Sequence, residues 1–220
     1  MASVKSTCLS RCGAALRDYD CPMTDVPDDP KEFFESYLPE RFKSFDATLA
    51  GKSSVGSMVF SVTDGGGEWS LLLRDGKLEV NAGADPDPIL TFTIPSEDFL
   101  AVMVQGARLA EEAQEEAKAS SQLMAFKALT LDAERAQLVK NVRGTVMFSI
   151  TDGGQKRRLA VTPGTQTPEL EKPECRLECQ MSDYLELQQG RQVPMQLAMS
   201  GKIRMIGNAQ VPMALGAVFN

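Results

Sequence analysis

The 220-residue sequence contains no histidine. That absence removes the commonest general base, the usual partner of a nucleophilic serine and the commonest metal ligand. Long hydrophobic runs are missing as well. No stretch reaches the ~18 consecutive apolar residues of a membrane span, and the opening segment MASVKSTCLSRCGAALRDYDC lacks the apolar run of a secretory signal. Positive charge is in deficit, with 23 Lys and Arg against 30 Asp and Glu and a net charge of −7. A broad basic face for nucleic acid is therefore not expected, nor is tight electrostatic docking on anionic lipid. A cytoplasmic, reducing setting with free thiols is the expectation.

What is present is an ordinary globular balance, 43% apolar and 24% charged, enough for a sizeable core. Cys8 and Cys12 are spaced like Cys175 and Cys179, which loosely resembles two halves of a four-thiolate zinc site. Cys175 and Cys179, however, fall in a strand-like run, where both point to one face. The expectation is plain thiols, with no metal and no cofactor.

Residues 1–30 end in CPMTDVPDDP, a proline- and aspartate-rich arm. In KEFFESYLPERF, apolar residues recur at spacings of three and four, predicting a short amphipathic helix with Pro30 in its first turn. Met58, Phe60 and Val62 then alternate with smaller residues, Asp64-Gly65-Gly66-Gly67 turns the chain, and Trp69, Leu71 and Leu73 resume the alternation. Asp75-Gly76 is a second turn, and ILTFTI a further strand. Ser96 reads as the N-cap of a helix opening on Glu97 and Asp98. Residues 97–125 are rich in helix formers and carry the acidic run Glu111, Glu112, Glu115 and Glu116, predicting a long solvated central helix.

The chain also repeats itself. GSMVFSVTDGG at 56–66 matches GTVMFSITDGG at 144–154, and SEDFL at 96–100 matches MSDYL at 181–185. A constant offset places Leu71 on Leu159, Leu73 on Val161 and Gly76 on Gly164, with Arg157 and Arg158 standing where the first copy has Trp69 and Ser70. Each copy reads as helix, three antiparallel strands, helix. The second ends in MQLAMSGKIRMIGNAQVPMALGAV, where the first has the charged AQEEAKAS. The first copy has thus lost or replaced its last strand. The repeats are assigned to 31–125, which includes the central helix, and 126–220.

The second copy's ending, Gly201-Lys202-Ile203-Arg204-Met205-Ile206-Gly207-Asn208 followed by an apolar helix, resembles the C-terminal signature of the type-two sterol carrier protein domain. The glycine-rich hairpin and the SEDFL helix start agree in order. The resemblance implies an α+β fold, an antiparallel twisted sheet covered by helices, here as two repeats joined by the central helix. It implies an apolar tunnel between sheet and helices for a sterol, fatty acyl chain or other lipid, and no catalysis. Whether one copy or both enclose a cavity stays open at this stage.

The cavity candidates are Phe99, Leu100 and Met103 in the first copy, and Met195, Leu197, Met199, Ile203, Met205, Met213 and Leu215 in the second. Flexible thioether chains suit a wall that adapts to several ligands. The expected partner is a lipid or other hydrophobic small molecule. Transient membrane contact and a protein docked on the acidic central helix are further partner classes. The rival reading is a protein-interaction module whose cavity has collapsed.

Overall fold

The computed structural model describes residues 26–43, 51–104, 124–188, 192 and 194–219. The arm up to residue 25 with Cys8, Cys12 and Cys21, and the expected central helix from 105 to 123 with its acidic run, lie outside the described residues.

Helix α1 covers residues 30–42, with Pro30 in its first turn and a π-helical centre, Phe33–Tyr37. Asp29 caps it, its carboxylate accepting from the Glu32 N–H at 2.9 Å. The strands are β1 Met58–Val62, β2 Gly67–Arg74, β3 Lys77–Ala82, β4 Leu90–Ile94, β5 Val146–Asp152, β6 Gln155–Pro163, β7 Cys175–Gln180 and β8 Arg204–Gly207. Helix α2 follows β4 over residues 96–104 and turns π-helical at Leu100–Val104. The remaining helices are α3 Ala133–Asn141, α4 Met181–Gln188, α5 Pro194–Met199 and α6 Gln210–Phe219, with a 3-10 segment at Met124–Thr130. Ser96 is the first helical residue of α2, not its cap. Pro95 holds the N-cap position without a side-chain bond, and the carboxylate of Asp98 turns to another strand instead.

All eight strands form one sheet in the order β3-β2-β1-β4-β6-β5-β7-β8. The sheet is mixed, where the sequence suggested antiparallel pairing throughout. β1 runs parallel to β4, and β5 to β7, while every other neighbour is antiparallel. Each copy's later strand returns to the far side of the strand that opened it, in the same direction, which requires a crossover. Helices lie over one face, where Phe34 meets Phe60. The segment between β6 and β7 lies over the other, where Pro168 and Leu170 face Val59 and Thr93.

The two copies complete each other. The second has no strand equivalent to β3, and among the described residues the first has none equivalent to β8. In the joined sheet β6 occupies the place beside β4 that β8 occupies beside β7. The registers agree: Cys175, Leu177 and Glu178 face Gly207, Met205 and Arg204, while Leu90, Phe92 and Thr93 face Pro163, Val161 and Ala160. Reciprocally, β4 stands beside β6 where β3 stands beside β2.

A polar tie follows the same equivalence. Two residues before Arg204, Lys202 Nζ lies 3.4 Å from Asp183 on the helix after β7. Two residues before Ala160, Arg158 donates its backbone N–H to Asp98 Oδ2 at 2.9 Å, on the helix after β4. The strand beside β4 in that place thus comes from the second copy.

The hairpin turns also correct the sequence alignment. Residues 63–66 close β1–β2, but only Gly153-Gly154 close β5–β6. Phe60 therefore faces Trp69, while Phe148 faces Leu159. Leu71 corresponds to Val161, and Arg157 and Arg158 to Gly67 and Glu68.

Candidate functional site

The space between sheet and helices differs in the two halves. In the first, aromatic rings pack against one another among the described residues. Phe34 stacks on Trp69 at 4.7 Å and meets Phe60 at 5.1 Å, Phe60 stacks on Phe92 at 4.8 Å, and Phe33 meets Phe99 edge-on at 5.4 Å. The buried Trp69 indole donates to Glu35 Oε1 at 3.1 Å. In the second half the corresponding space holds a cavity of about 170 Å³. Its floor consists of inward positions on four neighbouring strands: Leu90 and Phe92 of β4, Val146 and Phe148 of β5, Leu159 and Val161 of β6, and Leu177 of β7. Its roof is the Tyr184, Leu187 and Gln188 face of α4, together with Pro212, Leu215, Gly216 and Phe219 of α6. β4 belongs to the first copy, so the second copy's cavity has a borrowed wall.

The dimensions bear on what can enter. An apolar cavity of about 150 Å³ stays dry and takes benzene, whereas drug-sized ligands occupy about 300–1,000 Å³. At rest the cavity accommodates a ring or a short stretch of chain. A longer ligand must project from the mouth or lift α6. That helix is attached by one face, burying Val211 and Leu215, and carries Gly216 on the cavity wall.

Tyr184 and Gln188 carry the only polar side chains among the described wall residues, and the Gln188 amide donates to the Tyr184 hydroxyl. Burial pushes the Tyr184 phenol above its ordinary range despite that bond, so it stays neutral. Behind it, burial and then the Asp183 carboxylate push the Cys179 thiol up to about 12. Cys175 and Cys179 are both buried on β7 as free thiols. The described wall carries no carboxylate, amine or thiol.

Of the residues singled out from sequence, Leu215 lies on this wall. Phe99 is buried in the first half's aromatic cluster, Leu100 is exposed, and Met103 packs half-buried against the core. Leu197 and Ile203 are buried away from the cavity, and Met205 is half-buried on β8. Met195, Met199 and Met213 face solvent, Met199 being 83% exposed. Among its described side chains the short α5 buries Leu197, and Met213 falls between Val211 and Leu215 on the opposite side of α6. Tyr184 and Gln188 were not singled out, although their spacing around Leu187 gives a helix face one turn long. A second hollow of about 280 Å³ on the other face of the sheet is mixed in character, with Ser61, Glu68, Asp85 and Thr91 beside Val59 and Leu170.

One sheet with helices over one face, and an apolar hollow between them, is an α+β architecture. The SCP-2 sterol transfer family matches residues 40–111 and again 125–220, together more than half of the sequence. The chain belongs to that family, as a tandem repeat. Among solved structures it is similar to sterol carrier protein domain 2 of Helicoverpa armigera, with 22% identity over 63% of this chain and 92% of that one and a TM-score of 0.35. It is also similar to the apo form of Sterol Carrier Protein 2 from Yarrowia lipolytica, with 14% identity over 56% and 91% of the chains and a TM-score of 0.34. A palmitated sterol carrier protein 2-like protein from Aedes aegypti matches at 15% identity over 35% and 72%, with a TM-score of 0.30. None of the curated proteins matches the sequence. Family membership supports lipid binding or transfer as a general class of activity. Among the described residues, no helix is long and apolar enough to cross a membrane.

Proposed function

We propose that the protein binds and transfers a hydrophobic ligand, such as a fatty acyl chain, a sterol or another lipid, without catalysis, in the cavity beneath α6. The observation that carries this reading is the wall itself, apolar on floor and roof apart from one tyrosine–glutamine pair. An unfilled apolar space forfeits dispersion contacts, and a ligand chain restores them. Repeat 31–125, with aromatic rings clustered among its described residues, serves as the brace that supplies β4. Repeat 126–220 holds the ligand. Loading proceeds by transient contact with a membrane, in a cytoplasmic setting.

The test is native mass spectrometry of the purified protein, with organic extraction of what accompanies it. One lipid per chain is expected, and Leu215→Trp, which fills the cavity from α6, abolishes it while the protein stays folded. A clean apo mass, with no thermal shift from a panel of fatty acids, alcohols and sterols, overturns the proposal and favours an interaction module.

A further inference from the structure

Resting on the carrier reading above, we propose that the cavity selects a ligand with a neutral hydroxyl head over one with a carboxylate, and that the Tyr184–Gln188 pair is the selecting group. These are the two polar side chains of the described wall, one helical turn apart on α4. Tyr184 is 3% exposed. Its hydroxyl has a single protein partner, the Gln188 amide, so both groups retain unused capacity.

That capacity has the same character whichever way the amide is turned. With the amide N–H donating to the phenol, the phenol O–H remains as a donor and the amide carbonyl as an acceptor. With the phenol O–H donating to the amide carbonyl, the two amide N–H groups remain as donors and the phenol oxygen as an acceptor. Either way the pair presents donors and an acceptor side by side. A hydroxyl, which both donates and accepts, satisfies the two together. A hydrocarbon end satisfies neither.

A carboxylate accepts only, and it brings a charge. The described wall residues include no lysine or arginine. Lys202, the cation tied to the same helix, is already engaged by Asp183 at 3.4 Å and Glu186 at 3.3 Å. A carboxylate carried to the Tyr184–Gln188 pair would lose its hydration and gain only neutral donors, among apolar walls, with the Asp183 carboxylate on the same helix. An ion buried without a counter-charge is strongly disfavoured. The cavity thus discriminates by leaving an anion unpaired, a stronger device than fitting the chain more closely.

The test uses the full chain and four matched ligands at neutral pH: dodecanol, methyl dodecanoate, dodecanoic acid and dodecane. Binding is read by native mass spectrometry and by titration calorimetry. Dodecanol is expected to bind about tenfold or more tightly than either dodecanoate or dodecane, the step of one hydrogen bond to a buried partner. Tyr184→Phe and Gln188→Leu, made separately, are each expected to reduce the alcohol's advantage over the alkane to about threefold or less while leaving alkane binding in place. Dodecanoate binding as tightly as dodecanol overturns the selectivity while leaving the carrier reading intact. So does an alcohol-to-alkane ratio unmoved by both substitutions. Binding of none of the four overturns the carrier reading and the selectivity together.

Discussion

Replacing Asp98 with alanine cuts the polar tie between the two halves, and the structure allows its cost to be worked out. Asp98 is 2% exposed. Its Oδ2 accepts the Arg158 backbone N–H at 2.9 Å and lies 3.8 Å from Arg158 Nε, while Oδ1 lies 3.4 Å from Arg157 Nη1. A hydrogen bond to a charged acceptor contributes about 1.5–3 kcal/mol. The guanidinium contacts add less, because the Arg157 and Arg158 side chains are 23% and 46% exposed and solvent screens them. The expected loss is roughly 2–4 kcal/mol, a fall in melting temperature of roughly 5–15 °C for a domain of this size. Asp183→Ala is the internal control, with a smaller expected cost because its Lys202 partner is 44% exposed and screened by solvent. Asp98→Asn retains an acceptor and recovers most of the loss. Thermal and urea unfolding give the magnitudes, and hydrogen exchange should show β4 and β6 loosening together. An Asp98→Ala variant no less stable than Asp183→Ala would refute the view that β6 is secured as the first half's missing strand.

Gly216→Ala is expected to stabilise the protein by about 0.5–1 kcal/mol, since a helical glycine is entropically costly and a Cβ there meets nothing within 4 Å; a lower melting temperature would show that the position is tighter than it looks. Gly207 has φ +99°, and its Cβ would approach the Glu174 carbonyl to 2.3 Å. Gly207→Val should therefore lower the melting temperature and raise hydrogen exchange along β7 and β8, with β2 and β3 unaffected. The Cys179 thiol is raised from 9.0 to about 12 in the folded protein. Its contribution is intact below about pH 9 and is lost as pH rises toward 12, so Cys179→Ala should flatten part of the alkaline fall in stability. Superimposable alkaline curves for the two proteins would refute this. The sole tryptophan, Trp69, sits in the first half's ring cluster, so its fluorescence should follow unfolding and change little when a ligand enters.

Much of the fold is legible in local pattern. The alternation from Met58 to Val62, the Asp64–Gly67 and Asp75–Gly76 turns and the capped, proline-led α1 are all short-range signals. The repeat itself is visible from the match of GSMVFSVTDGG with GTVMFSITDGG. The site was harder to read, because a wall position depends on which neighbour is absent as much as on its own side chain. Met195, Met199 and Met213 have the composition of a flexible lining but point to solvent, since α5 and α6 each attach by a single narrow face. Phe92 read as an ordinary strand residue of the first copy, yet it lines the second copy's cavity.

The sequence by itself determined that the chain holds two related α+β units, where their hairpins turn, and that histidine chemistry is closed to it. These follow from spacing and composition, which act over a few residues. Only the tertiary structure decided that β4 pairs with β6, that rings cluster among the described residues of one half while a cavity lies in the other, and that Tyr184 and Gln188 face that cavity. Strand edges are generic hydrogen-bonding surfaces, and nothing local says which edge will meet which. The outcome rests on the absence, among the described residues, of one strand from each copy, and on the register that lets each half take up the other's open edge.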